Sequence, residues 1–447
     1  MERERERPSL PVIAWLAYNA LVVPVFIGAM HLGRFFDDKI REGMDGRRRL
    51  WNRLDVLGER LQGCVWVHAS SAGEYEQARP VIRALRERFD VPVLLTVFSP
   101  SGHAHATQHP EADAVEYLPL DSMPAAERML GRLRPRALVF VRYDCWPNLV
   151  WSAVRRGVPT VLLGGSLHAR SQRLNSVARP FFESVYRQFD AIGAVDTSHA
   201  ARFRSALGVA DERVSVTGDT RIDQVKRRFD DAADAPVARA LQDTGWRYVV
   251  VGSSWPADEK VWVNPVLDGL RARSEWGLVV APHEPTPEHL EALERRIADA
   301  GLDSTRLSEL VELRSGEARG TEVDRDRWRV ILVDGVGLLA SIYRAGSIAY
   351  VGGGFTTGVH NVMEPAVCGL PVLFGPRHTN AVEAGLLIER GGGRAVEDIA
   401  AFRRELAGLF DDDEHRQRAG TQAARLVEDQ AGATERSVEL LAPYLSR

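Results

Sequence analysis

Short, continuous apolar segments recur along this 447-residue chain, and helix-like stretches separate them. The segments are rich in Val, Leu and Ile and do not alternate with polar residues, which is typical of strands buried on both faces of a parallel sheet. The predicted strands span residues 63–69, 91–97, 114–118, 136–142, 158–164, 190–195, 247–252, 276–281, 329–333, 347–352 and 371–374. Helices such as 76–89 and 287–300 are predicted between them, so the chain is expected to form doubly wound α/β domains.

A polar, Asp- and Ala-rich stretch at 226–246 separates two series of strands. We therefore expect an N-terminal anchor and linker at 1–45, a Rossmann-like domain at 46–235 and a second Rossmann-like domain at 236–447. The last helix could pack back on the first domain. Two such domains enclose a cleft at the carboxyl ends of their strands, where ligands bind.

The N-terminal segment 10–32 reads LPVIAWLAYNALVVPVFIGAMHL and contains no formally charged residue. About 20 apolar residues suffice for a helix to cross a bilayer core, although Pro24 would kink such a helix. Basic residues that include Arg34, Lys39 and Arg41 follow the segment and favour a cytoplasmic location for the rest of the chain. Three interpretations remain open here: a spanning anchor, a helix lying on the cytoplasmic face and a buried core helix.

The composition argues against two classes of function. A net charge of -4 does not suit general nucleic-acid binding, which needs a basic surface. The three scattered cysteines do not form the framework of a disulfide-rich domain or a structural zinc site. We expect neither a metal nor another cofactor.

The first predicted strand runs into the sequence HASSAGEY, after which a helix begins. Ser70, Ser71 and Gly73 are candidates for close contact with an anion or a sugar, because such loops leave backbone N–H groups free at the helix N-terminus. Glu74 is a candidate general base for a hydroxyl group. It could equally be a favourable acid in the first turn of the helix.

Two further loops of the first domain carry candidate residues. Asp144 follows the fourth strand in the sequence RYDCWPN, which could instead be a simple turn punctuated by Pro147 and Asn148. Arg170 and Arg173 follow the next strand in GGSLHARSQR and could bind a carboxylate or phosphate, with Arg170 as the candidate for the sugar. An exposed helix face is the alternative for either arginine.

The second domain carries candidate residues in two loops, and its richest stretch is 350–380. Ser253 lies in the sequence GSSWPADE after a strand, where a phosphate could bind. Gly353 and Gly354 would allow a ligand to approach the backbone closely. The candidates at the head of the next helix are His360, Asn361 and Glu364, of which Glu364 could hydrogen-bond a ribose diol. Neither a Walker sequence nor a GxGxxG spacing is present.

In order and spacing, these blocks resemble the bacterial Kdo transferases, the 3-deoxy-D-manno-oct-2-ulosonic acid transferases of lipid A assembly. The resemblance covers nearly the whole chain and rests on HASSAGE, WPN, GSLHARSQR, GDTRID, GSSWPADE and the stretch from HNVMEP to GPRHTN. It implies a GT-B glycosyltransferase, in which the first domain binds the acceptor and the second binds the nucleotide-sugar donor.

The resemblance also implies an activity. Such an enzyme moves Kdo from CMP-Kdo to the 6′-hydroxyl of a lipid A precursor, lipid IVA, in lipopolysaccharide biosynthesis of Gram-negative bacteria. It works without a metal at the cytoplasmic side of the inner membrane, by an inverting displacement. Glu74 matches the family's catalytic glutamate, and His360, Asn361 and Glu364 match its CMP site.

The chain departs from the family pattern at two places. Arg142 and Asp144 stand where the familiar pattern has two glutamates, so a supporting acidic role can pass only to Asp144. His283 stands where the family has the arginine of a Pro-Arg-His block. Two rivals remain open: another GT-B enzyme such as a UDP-sugar transferase or epimerase, and an inactive membrane-associated scaffold.

Overall fold

The computed structural model describes residues 12–314 and 329–445. Leu10 and Pro11, the first residues of the predicted apolar segment, lie outside these ranges. By compactness the chain divides into two units. The first takes the residues up to Gln224 and those from Ala431 onward, and the second takes Val225–Gln430.

Each unit contains one parallel sheet of seven strands. The first sheet is formed by β1 (Val65–Ala69), β2 (Val93–Val97), β3 (Ala114–Tyr117), β4 (Ala137–Val141), β5 (Thr160–Gly165), β6 (Ala191–Ala194) and β7 (Val214–Val216). The second is formed by β8 (Arg247–Ser254), β9 (Trp276–Pro282), β10 (Thr305–Arg306), β11 (Val330–Leu332), β12 (Gly346–Val351), β13 (Val372–Phe374) and β14 (Gly393–Ala395).

Helices connect the strands, as the crossover between parallel strands requires. The α-helices are α1 (Val12–Ala17), α2 (Val23–Gly33), α3 (Asp38–Leu57), α4 (Ala72–Phe89), α5 (Pro100–Gln108), α6 (Met123–Leu133), α7 (Pro147–Arg155), α8 (Arg179–Tyr186), α9 (Thr197–Ser205), α10 (Thr220–Asp231), α11 (Pro236–Gln242), α12 (Pro256–Ala272), α13 (Pro287–Asp299), α14 (Leu307–Arg314), α15 (Leu339–Tyr343), α16 (Met363–Val367), α17 (Val382–Arg390), α18 (Ile399–Asp411), α19 (Asp413–Gln430) and α20 (Ala433–Leu445). Short 3₁₀ turns occur at Gln172–Leu174 and Asp211–Arg213.

The order of the strands identifies one switch point in each sheet. The first sheet runs β3-β2-β1-β4-β5-β6-β7, so its order reverses between β1 and β4. The second runs β10-β11-β9-β8-β12-β13-β14 and reverses between β8 and β12. Ligands of open α/β sheets bind outside the carboxyl ends of the strands at such points. The predicted α/β class, with two Rossmann-like units, is confirmed.

Burial on both faces explains why the strands are continuous apolar segments. On one face of the first sheet, Trp66 and Phe140 join a core under α6 and α7. On the other face, Val65, Val67 and Val139 join a second core under α4 and α20. Adjacent residues of one strand therefore enter opposite cores, and each must be apolar.

The N-terminal segment is helical from Val12 to Gly33 and is long and apolar enough to cross a membrane. Only 6% of its most apolar stretch is buried, which does not fit the alternative of a buried core helix. Residues Tyr18–Val22 form a π-helical turn directly before Pro24. Proline has no N–H, and its ring crowds the preceding turn of a helix. The wider π-helical turn therefore accommodates Pro24 within the helix.

Candidate active site

The loops at the switch point of the first sheet contain most of the residues predicted in that unit. The loop after β1 carries Ser70 and Ser71 and leads into α4, whose first turn contains Glu74. The loop after β4 carries Arg142 and Asp144. The two strands pair directly, with His68 opposite Phe140 near their carboxyl ends. The fold therefore brings the two loops to one place at the edge of the sheet.

Glu74 is held by the loop that precedes its helix. Ser71 is the N-cap of α4, and its hydroxyl accepts a hydrogen bond from the Glu74 N–H. The Ser70 N–H in turn donates to Glu74 Oε2. A backbone hydrogen bond from Ser71 also favours the charged form of this carboxyl group. The loop thus holds the carboxylate at the start of α4, as a base that must be presented to a hydroxyl group requires.

The surroundings of Glu74 favour its protonated form near neutral pH. Burial and, to a smaller extent, the negative charge of Asp144 raise the pKa of this carboxyl group to about 7. The hydrogen bond from Ser70 and the positive charge of Arg142 oppose this shift. A carboxyl group with a pKa close to the working pH is suited to accept and release protons, and a merely favourable first-turn acid would not need this environment.

Gly73 lies next to Glu74 and is exposed. A Cβ added at this position would meet no atom within 4 Å. The packing of the protein therefore does not require glycine here, and the open space beside Glu74 is where a substrate could approach.

Arg142 has a strained backbone at the end of β4. Its φ of 72° lies in the left-handed region, which is unfavourable for a residue with a side chain. Its N–H donates to the Leu163 carbonyl and its own carbonyl accepts from Ser166, so both neighbours fix the conformation. Strained residues that the surrounding structure holds in place cluster at active sites.

Asp144 pairs with one of the two arginines of the GGSLHARSQR block. Arg173 lies 3.6 Å from Asp144 and also packs over the rings of Tyr143 and Phe182. Arg170 is exposed to solvent. Sequence spacing alone does not separate the two arginines, of which only Arg173 lies in the 3₁₀ turn at Gln172–Leu174.

The switch point of the second sheet contains the glycine loop and Ser253. Ser253 has a left-handed φ of 53° at the end of β8, which matches the strain at Arg142 in the first unit. Gly352 pairs with this bend so closely that an added Cβ would lie 2.2 Å from the Ser253 carbonyl oxygen. Gly353 has a φ of 92° and needs the conformational freedom of glycine.

Asp258 organises the two loops of this switch point. Its buried carboxylate accepts hydrogen bonds from the N–H groups of Trp255 and Gly353, at 2.9 Å each. It also accepts one from the Tyr350 hydroxyl group at 3.0 Å. The carboxylate therefore ties the loop after β8 to the loop after β12, which also contains Gly354. An acid in the first turn of a helix is the one feature of the sequence that points to Asp258.

His360 lies in a cluster of aromatic rings. The Trp255 indole N–H donates to His360 Nε2 at 3.0 Å, so the two rings meet edge to edge. The imidazole of His283 stacks on both, with ring centres 4.3 Å from Trp255 and 4.6 Å from His360. Because Nε2 accepts a hydrogen bond from Trp255, neutral His360 must carry its own proton on Nδ1. Burial lowers the pKa of His360, which keeps the ring neutral.

Asn361 and Glu364 form a pair at the start of α16. The Asn361 amide donates to Glu364 Oε1 at 3.2 Å, while its oxygen accepts from the Met363 N–H. Burial raises the pKa of Glu364, and the positive charge of Arg228 opposes this. Within residues 12–314 and 329–445, no group of three or more His, Cys, Asp or Glu side chains is arranged to hold a metal ion.

Comparison with known proteins identifies the family. Residues 47–224 match the sequence profile of the 3-deoxy-D-manno-octulosonic-acid transferases. The chain is 30% identical to 3-deoxy-D-manno-octulosonic acid transferase of Chlamydophila psittaci over 388 residues, which is 85% of each chain.

Two solved structures share the fold at low identity. UDP-GlcNAc 2-epimerase from Neisseria meningitidis matches 85% of this chain and 99% of its own, with a TM-score of 0.61 and 13% identity. MurG of Acinetobacter baumannii matches 85% and 99%, with a TM-score of 0.54 and 13% identity. The architecture is thus that of the GT-B class, as expected. Together with the sequence match, it shows that the chain belongs to the 3-deoxy-D-manno-octulosonic acid transferase family of glycosyltransferases.

Proposed function

We propose that this enzyme transfers Kdo from CMP-Kdo to the 6′-hydroxyl of a lipid A precursor, with Glu74 as the general base. The observation that carries the proposal is the state of Glu74. It is a buried carboxyl group at a switch point, with one oxygen held by a backbone N–H and a pKa of about 7. Family membership supports Kdo as the sugar that is moved.

The proposed reaction is a single displacement. Glu74 takes the proton of the acceptor hydroxyl group, the oxygen attacks the anomeric carbon of Kdo, and CMP leaves with the electrons of the broken C–O bond. The configuration at that carbon inverts. Asp144 supports the step by keeping the pKa of Glu74 high enough for it to act as an effective base.

The second unit supplies groups for the donor. The N–H groups at the bend of Ser253 and at Gly354 are suited to the phosphate, whose developing charge they would stabilise. The N–H of Gly353 is held by Asp258, and this glycine would instead let the phosphate approach the backbone closely. Neutral His360 would add a hydrogen bond from its Nδ1–H. Glu364, oriented by Asn361, has a carboxylate oxygen suited to a ribose hydroxyl group.

The first unit supplies groups for the sugars. Ser70, Ser71 and Gly73 surround Glu74 and would contact the acceptor. The negative carboxylate of Kdo needs a positive partner. Arg170 stays our candidate for this role because it is exposed and has no ion pair among the described residues.

The N-terminal helix would bring the enzyme to its lipid acceptor at the cytoplasmic face of the inner membrane. Its exposed side chains include Ile13, Leu16, Leu21 and Val25. The opposite face lies against the first unit, where Phe26 packs on Phe98. A helix that packs along a globular unit and exposes one apolar face is suited to lie in the membrane interface.

Competition for the donor site tests this function against its rivals. We expect CMP to inhibit binding of CMP-Kdo at concentrations at which UMP and UDP have no effect, because CMP is the leaving group of the proposed donor. A UDP-sugar transferase or epimerase would show the reverse preference. Binding without any sugar transfer in the wild-type protein would instead indicate an inactive scaffold.

A further inference from the structure

Tyr18 and Asn19 of the N-terminal helix are bound to other elements of the first unit. The Tyr18 hydroxyl group donates to Asp121 at 2.8 Å. Asn19 exchanges two hydrogen bonds with Asn148, at 2.9 and 3.0 Å. Asp121 and Asn148 are themselves buried, and Asp121 also accepts from the Asn148 N–H. A helix that served only to hold the protein at a membrane would not need these contacts.

The N-terminal helix therefore holds the N-terminus of α7, and the N-cap residue of α7 is Trp146. The Trp146 ring packs against Phe26 of the N-terminal helix and against Phe98, with ring centres 6.1 and 4.8 Å apart. Its indole N–H points the other way and donates to His68 Nε2 at 2.9 Å. Trp146 thus contacts the apolar helix with its ring and the end of β1 with its N–H.

His68 connects Trp146 to Ser70, which lies in the loop before Glu74. Its Nδ1 lies 3.0 Å from the Thr96 carbonyl oxygen, which can only accept, so Nδ1 carries the proton. Nε2 must then accept, from Trp146 and from the Ser70 hydroxyl group at 3.1 Å. The N–H of the same Ser70 fixes the Glu74 carboxylate. Every side chain from the helix to Glu74 is therefore directly bonded or packed to the next.

His68 itself is a poor candidate for proton transfer. It is 1% exposed, and burial lowers its pKa to about 3, so it stays neutral while both of its nitrogens are occupied. Its contacts suit it to hold Ser70 in place.

We propose that the N-terminal helix is a structural part of the active site, and that Trp146 and His68 are positioning residues that transmit its placement to Glu74. The inference rests on the proposed role of Glu74 as the base. The N-terminal helix would then have two functions: its exposed face contacts the lipid, and its packed face keeps the base in position.

The test uses the full-length enzyme and an acceptor dispersed in detergent, so that membrane attachment does not limit the rate. Trp146→Phe keeps an aromatic ring but removes the N–H that binds His68. Trp151→Phe is the matched control, because Trp151 lies on the same helix and its buried indole N–H has no partner among the described residues. We expect Trp146→Phe to lower kcat about tenfold, as the loss of one positioning hydrogen bond implies. The KM for CMP-Kdo should change less than twofold, and Trp151→Phe should stay close to wild type.

A second variant tests the same series of contacts at its other end, in the N-terminal helix. Asn19→Leu removes the amide pair with Asn148 and makes the helix more apolar, so it should keep membrane attachment while lowering kcat in detergent. If Asn19→Leu and Trp146→Phe both turn over like Trp151→Phe, the inference is wrong. Glu74→Gln separates this failure from that of the proposed function. If Glu74→Gln also retains activity, the base itself is misassigned.

Discussion

At the scale of single residues, charge and burial around Glu74 determine how the rate should depend on pH. As the proposed base, Glu74 must be ionised, and its pKa of about 7 is well above the ordinary value for glutamate. The rate should therefore rise with pH through the neutral range and level off above it.

Asp144→Asn tests the cause of that pH dependence. The negative charge of Asp144 raises the pKa of Glu74, so removing it should lower this pKa and move the acidic limb of the kcat/KM profile to lower pH. The measurement is the pH profile of both proteins with a saturating acceptor. A limb that stays in place, or moves to higher pH, would show that Asp144 does not act on the titrating group.

The tautomer of His360 is a second property of a single residue that can be measured. Trp255→Phe removes the N–H that Nε2 accepts, so His360 should lose its fixed Nδ1–H tautomer. We expect the nitrogen chemical shifts of the ring to move and the affinity for CMP to fall about tenfold, the effect of one lost hydrogen bond.

Trp262→Phe provides the control for this change. Trp262 lies on the same helix α12, and its buried indole N–H has no partner among the described residues. This variant should therefore bind CMP like the wild type. Equal CMP affinity in the two variants would contradict the role given to Trp255.

Some features of these residues can be predicted from the sequence, and others cannot. The Ser71-Ala-Gly-Glu74 pattern is a recognisable helix start, and α4 begins at Ala72, four residues before the helix predicted at 76–89. The left-handed backbones of Arg142 and Ser253 could not have been predicted, because neither residue is one that favours this conformation. They depend on tertiary contacts around each switch point.

At the scale of elements, the apolar pattern predicts the buried strands well. Each of the eleven predicted strands overlaps an observed one, because a strand buried on both faces needs a continuous apolar segment. The strands β7, β10 and β14 were missed. They contain two or three residues each, include Ser, Thr, Gly and Arg, and lie toward the edges of their sheets, where the apolar pattern is weak.

The N-terminal helix offers a prediction that concerns only its exposed face. Leu21 and Val25 are 66% and 72% exposed, so changing both to Glu should weaken membrane binding without disturbing the packed face. We expect the double variant to appear in the soluble fraction after a carbonate wash, with near wild-type activity on an acceptor dispersed in detergent.

An apolar exchange at the same two positions, Leu21→Val with Val25→Leu, is the control and should stay with the membrane. Retention of the double Glu variant would mean that another surface attaches the enzyme. Loss of its activity in detergent would mean that the exposed face has a catalytic role as well.

At the scale of the whole molecule, the end of the chain returns to the first unit. Helix α20 packs there against α4, the helix that carries Glu74. The carboxylate of Asp223 binds the N–H groups of Gly432 and Thr434 and so fixes the start of α20. The GDTRID block thus has a structural role in this contact, which a motif match alone does not reveal.

Mass spectrometry of the lipid product is the sharpest test of the proposal that the enzyme adds Kdo to a lipid A precursor with Glu74 as its base. After incubation with CMP-Kdo and the precursor, the wild-type product should gain the mass of one or more Kdo residues. Glu74→Gln should give no such product while still binding CMP-Kdo. An unchanged precursor with the wild-type enzyme, or a Kdo-bearing lipid formed at the wild-type rate by Glu74→Gln, would contradict the account.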